Sequence, residues 1–189
     1  MINIFNNAML ILWSLAYILI IFNGIKYLTE YPILMPLLSG SLNFAWEINA
    51  LIESNGFWGH ILWLVLDVAI ISLNIRNLKS YKKAGGYVLF TAVMTIALWF
   101  IFRLTTVDGM LLSVFIIDLI MAVEYVVVAK KISNHSKVLI ATIKLFGDLF
   151  AWLTNLHIEL YVAIIGGIVL LMNLFYLSYC LELQKNNKK

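Results

Sequence analysis

The chain has 189 residues, of which 63% are hydrophobic and only 12% charged, against roughly one quarter charged in soluble domains. Its formal net charge is +3 and its mean hydropathy +0.96, which reads as an integral membrane protein with a single domain, 1–189, and excludes a soluble domain or a nucleic-acid-binding arm. The single Cys180 excludes an intramolecular disulfide, and no Cys or His cluster has metal-ligand spacing.

Crossing ~30 Å of hydrocarbon takes about 20 helical residues at ~1.5 Å each. Apolar runs of that length predict seven transmembrane helices, at about 5–25, 33–52, 57–75, 86–104, 110–129, 137–156 and 160–181. The first has no basic n-region and no well-placed small-residue cleavage site, so it is expected to be retained. The second begins near Pro32 and Pro36 and carries Asn43-Phe44-Ala45-Trp46-Glu47. An ionisable side chain at membrane depth is expensive and is by default a functional candidate. Asn43 and Glu47, four residues apart, share one helix face.

The third span carries Asp67 near mid-depth, in Trp63-Leu64-Val65-Leu66-Asp67. Two carboxyls close together in a low dielectric do not ionise together easily, so Glu47 and Asp67 are expected to form a pair that can hold and deliver a proton, with Asn43 orienting it. The plainer role for such acids is interhelical hydrogen bonding, worth about 0.6 kcal/mol per contact. The fourth span contributes Trp99. The fifth contributes Asp118, expected to face inward, and Glu124, which lies toward Lys130 and Lys131.

On the sixth span, Lys144 and Asp148 are spaced for an intrahelical ion pair, and Trp152 follows. His157 and Glu159 fall in a turn and read as water-exposed. The seventh span holds Asn173 and Tyr176. Aromatic faces stabilise cations, and Tyr17, Trp63, Trp99, Trp152, Tyr161 and Tyr176 are residues available to line a cavity; packing or interfacial anchoring is the commoner role of any one of them.

Trp46, Trp99 and Trp152 recur at intervals of 53 residues, each on an even-numbered span, and Phe44-Ala45-Trp46 is echoed by Phe150-Ala151-Trp152. Asp67, Asp118 and Asn173 follow those tryptophans by 21, 19 and 21 residues. The pattern predicts one helix followed by three helix-hairpin repeats. Threading seven spans puts Lys26, Arg76, Lys79, Lys82, Lys83, Lys130, Lys131, Lys137, Lys185, Lys188 and Lys189 on one side and Arg103 on the other. The positive-inside rule then predicts a multi-pass cell-membrane protein with its N-terminus outside and its C-terminus in the cytosol.

The pentapeptide ending in Glu47, the third span with Asp67, and the seven-span length together resemble the integral-membrane terpene cyclases of the paxilline and pyripyropene type. That resemblance implies proton-initiated cyclisation of a membrane-dissolved isoprenoid, commonly ending in an epoxide, with no metal or redox cofactor. It implies Glu47 as proton donor; on a cyclase reading Asp67 and Asn43 are expected to orient and tune it, and Trp46, Trp63, Asp118, Asn173, Tyr176, Trp99 and Trp152 to surround the substrate. A prenyltransferase and an epoxidising enzyme are the pathway partners it implies. The chain departs from the family at the second essential carboxylate, where Asn173 stands; an amide can hydrogen-bond but cannot exchange a proton. A rival reading is a small proton-coupled transporter or ligand-binding membrane protein that uses the same buried acids. A purely structural partner subunit is a third.

Overall fold

The computed structural model describes residues 2–26, 35–54, 57–78, 81–104, 107–129, 137–156 and 159–186. Pro32, Lys79, Lys130, Lys131, His157, Lys188 and Lys189 lie outside the described residues. Among those described, seven α-helices and no strands occur: α1 (Ile2–Lys26), α2 (Leu37–Glu53), α3 (Trp58–Asn77), α4 (Tyr81–Leu104), α5 (Val107–Val128), α6 (Lys137–Asn155) and α7 (Leu160–Asn186). In hydrocarbon every backbone N–H and C=O must find a partner within the protein, and a helix supplies them all within one segment. All of these helices except α2 are long and apolar enough to cross a membrane, which makes this a multi-pass membrane protein.

Large apolar side chains cover the outside: Ile11, Ile18 and Phe22 on α1, Val65 on α3, Leu89 on α4, Leu171 and Phe175 on α7. Lys26, Arg76, Arg103 and Lys185 stand in the last turns of their helices, where a cation meets the negative end of the helix dipole. α2 is the exception in both length and character. It has 17 residues, about 25 Å at the helical rise, and buries ten of them among α3, α4 and α5.

Six helices close a ring: α1 packs on α6, α6 on α7, α7 on α5, α5 on α2, α2 on α3, and α3 back on α1. α4 lies outside it against α2, through Leu42, Ala45, Trp46 and Ala50 of α2 and Leu98 and Phe102 of α4. The end of the ring where α1 finishes is filled by Tyr17, Ile20, Met35, Ile70, Met121, Tyr125, Ile140, Tyr176 and Cys180. The other end is hollow.

α2 begins after Pro36, which has φ −51° and ψ 135° and no side chain able to cap. The missing cap comes from α5. The Glu124 carboxylate accepts the Ser39 backbone N–H at 2.8 Å and also the Ser39 hydroxyl. Glu124, expected near the lysines after span five, is therefore a helix cap supplied from a neighbouring helix, set at the positive end of the α2 dipole.

Candidate functional site

The hollow end is a cavity of about 500 Å³. Its wall is assembled from the first turns of α1 (Asn6, Asn7, Leu10, Trp13), the start of α3 (Trp58, His60, Trp63), the first half of α5 (Met110, Phe115, Asp118), and the last turns of α6 (Ala151, Asn155), with Trp46 from α2 and Phe57 just before α3. Successive helices thus alternate in direction. Asp118 marks its depth, eleven residues beyond the start of α5, or about 16 Å along the helix.

Glu47 is 3% exposed and does not line this cavity. Its Oε2 meets His60 Nδ1 at 2.8 Å, and His60 does line it. The imidazole stands edge-on to Trp46 at 5.6 Å, Phe57 at 5.5 Å and Trp63 at 5.9 Å. With Nδ1 turned to Glu47, Nε2 is the ring nitrogen left for other partners.

Asp67 forms a separate cluster. Asn43 Nδ2 donates to its Oδ1 at 3.1 Å and its Oδ2 at 3.2 Å, and also to the Tyr17 hydroxyl. Glu47 and Asp67, expected to act as a pair, stand within electrostatic reach of each other, while their direct contacts are two nested ones across the same hairpin, Glu47 to His60 and Asp67 to Asn43. Asn43 stands one turn before Glu47 and takes the face toward Asp67.

A third cluster joins α6 to α7. Lys144 Nζ lies 2.7 Å from Asp148 Oδ2, the intrahelical pair expected from the spacing, and Asn173 Nδ2 donates to that same oxygen. Asp148 Oδ1 and Asn173 Oδ1 are buried without partners among the described residues. Asn173, the amide found where a carboxylate was expected, is therefore hydrogen-bonded to a carboxylate on the neighbouring helix. The hairpins α2–α3 and α6–α7 each carry one amide-to-carboxylate bridge, Asn43 to Asp67 and Asn173 to Asp148, with the two residue types exchanged between helices.

Asp118 is 4% exposed and stands in the wall of the large cavity and of a second, smaller one of about 30 Å³. Lys144, Tyr17, Tyr125 and Trp13 also line the smaller cavity. Among the described residues the Asp118 carboxyl accepts no hydrogen bond. Lys144, Asp148 and Glu47 are the charged groups within electrostatic reach of it.

The remaining aromatic residues divide. Trp46 and Trp63 line the large cavity, and Trp46 Nε1 donates to Ser113 Oγ at 3.1 Å. Trp99 is 41% exposed on α4, outside the ring, with Phe100 and the Arg103 guanidinium against it. Trp152 donates to the Ala163 carbonyl at 2.9 Å and packs against Gly166, away from the cavity. Tyr176 is buried beside Tyr125 in the filled end. Glu159 is exposed.

Sequence reasoning missed His60 and Trp13. A signal for His60 existed: the pairs 43/67 and 47/60 are both centred on the turn between α2 and α3, as antiparallel neighbours must be. Among the described residues no group of three or more His, Cys, Asp or Glu side chains is placed to hold a metal ion. The chain matches no known protein family, no characterised protein and no solved structure, so the reading of this cavity rests on its own geometry.

Proposed function

We propose that this protein is a membrane-embedded terpene cyclase that starts cyclisation of a prenyl or epoxy-prenyl chain by protonation. The observation that carries the reading is a cavity of about 500 Å³, within the range of small-molecule sites, whose aromatic wall includes an imidazole hydrogen-bonded to a buried carboxylate. His60, protonated and held by Glu47, gives its Nε2 proton to an epoxide oxygen. The C–O bond breaks with its electron pair staying on oxygen, and the π electrons of the chain's next alkene close the ring onto the electron-poor carbon. The cation this leaves on the former alkene loses a proton from an adjacent carbon, the C–H electron pair becoming the new double bond of a neutral cyclic alcohol. Trp13, Trp46 and Trp63 face the cation and keep water from it. Glu47 then acts through His60 rather than on the substrate itself.

Seven crossings with the cavity end outside fit the charge pattern, since Lys26, Arg76, Lys82, Lys83 and Lys185 all lie at the filled end. We place the protein in a cell membrane with its N-terminus outside. The two exchanged amide-to-carboxylate bridges support descent from repeated hairpins. In this scheme a prenyltransferase and an epoxidising enzyme supply the substrate, which enters from the bilayer.

Membranes containing the protein should convert epoxy-prenylated acceptors into cyclic products identifiable by mass spectrometry. General acids contribute about 10²–10⁴-fold, so Glu47→Gln and His60→Gln should each lower turnover by that order. Full activity in both variants at normal expression would sink the assignment. One observation favours a second reading as a proton-coupled transporter: Asp118 lies in the walls of two cavities at once. Asp67 lines neither, so proton-driven uptake in proteoliposomes that depends on Asp118 would favour the transporter.

A further inference from the structure

The buried charges of this bundle nearly all have partners. Lys144 is matched by Asp148 at 2.7 Å, and Glu47 by His60 at 2.8 Å. Asp67 is wrapped by Asn43 and Tyr17. Asp118 is left with a carboxyl at the cavity wall and no hydrogen-bond donor among the described residues, and the Lys144–Asp148 pair behind it sums to zero. A carboxylate so buried is expensive unless a counter-charge meets it.

The cavity supplies the setting for that counter-charge. Among the described residues no lysine or arginine lines it, and the His60 imidazole in its wall is already matched by Glu47. The N–H edge of Trp46 is occupied by Ser113, and that of Trp13 is turned against Gly147, where an added Cβ would lie 2.5 Å from Nε1. These indoles therefore offer π faces rather than hydrogen-bond donors to whatever fills the space. A negatively charged group among π faces, with apolar surface around it, is the chemistry that recognises an organic ammonium ion.

We infer that the large cavity binds a lipophilic organic cation, a quaternary or tertiary ammonium on an apolar body, with Asp118 as its counter-charge. The site is that of the proposed cyclase, but binding of a stable ammonium ligand requires no turnover and holds whether or not cyclisation occurs. The ammonium head lies against the Asp118 carboxylate, and the apolar body lies among Trp13, Trp46, Trp63 and Phe115.

Equilibrium binding of radiolabelled benzyltrimethylammonium to the protein in lipid nanodiscs, with empty nanodiscs as blank, tests this. Saturable binding at one site is expected. Neopentylbenzene, the same shape with carbon in place of nitrogen, should compete at least tenfold more weakly. Asp118→Asn should weaken ammonium binding at least tenfold while leaving the affinity for neopentylbenzene unchanged, and Asp118→Glu should restore it. No saturable binding, or equal affinity of the wild-type protein for the charged and neutral probes, overturns the inference, and the wild-type comparison decides it even if Asp118→Asn does not fold. Ammonium binding without cyclic product would refute the cyclase and leave the cation site standing; product without ammonium preference would do the reverse.

Discussion

Lys144 shows what one side chain means inside this bundle. Its ammonium is the partner of Asp148, whose second oxygen is already without a donor. Removing one member of a buried ion pair costs about 3–5 kcal/mol, because the other is left charged and unmatched. Lys144→Met should therefore lower the unfolding free energy in mixed micelles by that amount, and adding Asp148→Leu should recover much of the loss. A double variant as unstable as the single one would contradict this account. At this scale the sequence revealed what stands out chemically: Glu47, Asp67, Asp118 and the Lys144–Asp148 spacing are conspicuous in apolar runs. His60 was not legible because a histidine three residues into a helix, beside Gly59 and Trp58, looks like any interfacial residue. What singles it out is its distance from Glu47 across the turn. The exchange of partners, His60 for Glu47 and Asn43 for Asp67, depends on side-chain direction, which composition does not carry.

Among the elements, the spans predicted from hydropathy fall within a few residues of α1 to α7, except that α4 begins earlier, α7 ends later and α2 is shorter than predicted. Their neighbours were less legible. Hydropathy reports the length that lipid requires and says nothing of which helix meets which; α4, expected from the repeat to form a hairpin with α5, touches it only lightly and packs chiefly on α2, outside the ring. The contact of α1 with α6 depends on Gly147, where an added Cβ would stand 2.2 Å from Trp13 Cδ1. An indole cannot bend away as a flexible chain end would. Gly147→Ala should therefore cost about 1–3 kcal/mol through overpacking and shift the Trp13 ring in the cavity wall. Thermal unfolding would measure the first effect and a changed tryptophan emission the second; an unchanged melting temperature would contradict the close approach. The cap on α2 gives a milder prediction. Glu124→Gln keeps the shape but removes the charge at the helix start, and should lower stability by about 1 kcal/mol, with faster amide exchange confined to the first turn of α2.

For the whole molecule, the two ends of the ring differ: one is filled and one is hollow. Cys180 is buried at the filled end and should resist a membrane-impermeant maleimide in native membranes. In a Cys180→Ala background, Asn7→Cys at the mouth should label from the outside of intact cells, and benzyltrimethylammonium should slow that labelling. Labelling only after the cells are opened would reverse the proposed orientation. A multi-pass helical membrane protein was legible from composition alone, because few charges and long apolar runs leave no other solution in water or lipid. The ring, the cavity and the identity of its hollow end were not, since these arise from packing between helices far apart in the chain.

The carboxylate that closes the start of α2 belongs to a helix made much later. α2 is the shortest of the helices, follows a proline that offers no cap, and finds its terminal acceptor on α5, 85 residues downstream. During synthesis α2 has no such partner until Glu124 has entered the membrane. Its final seating is therefore a late event in assembly, and chains arrested before residue 124 should leave the first turn of α2 open to chemical probes that the finished protein excludes.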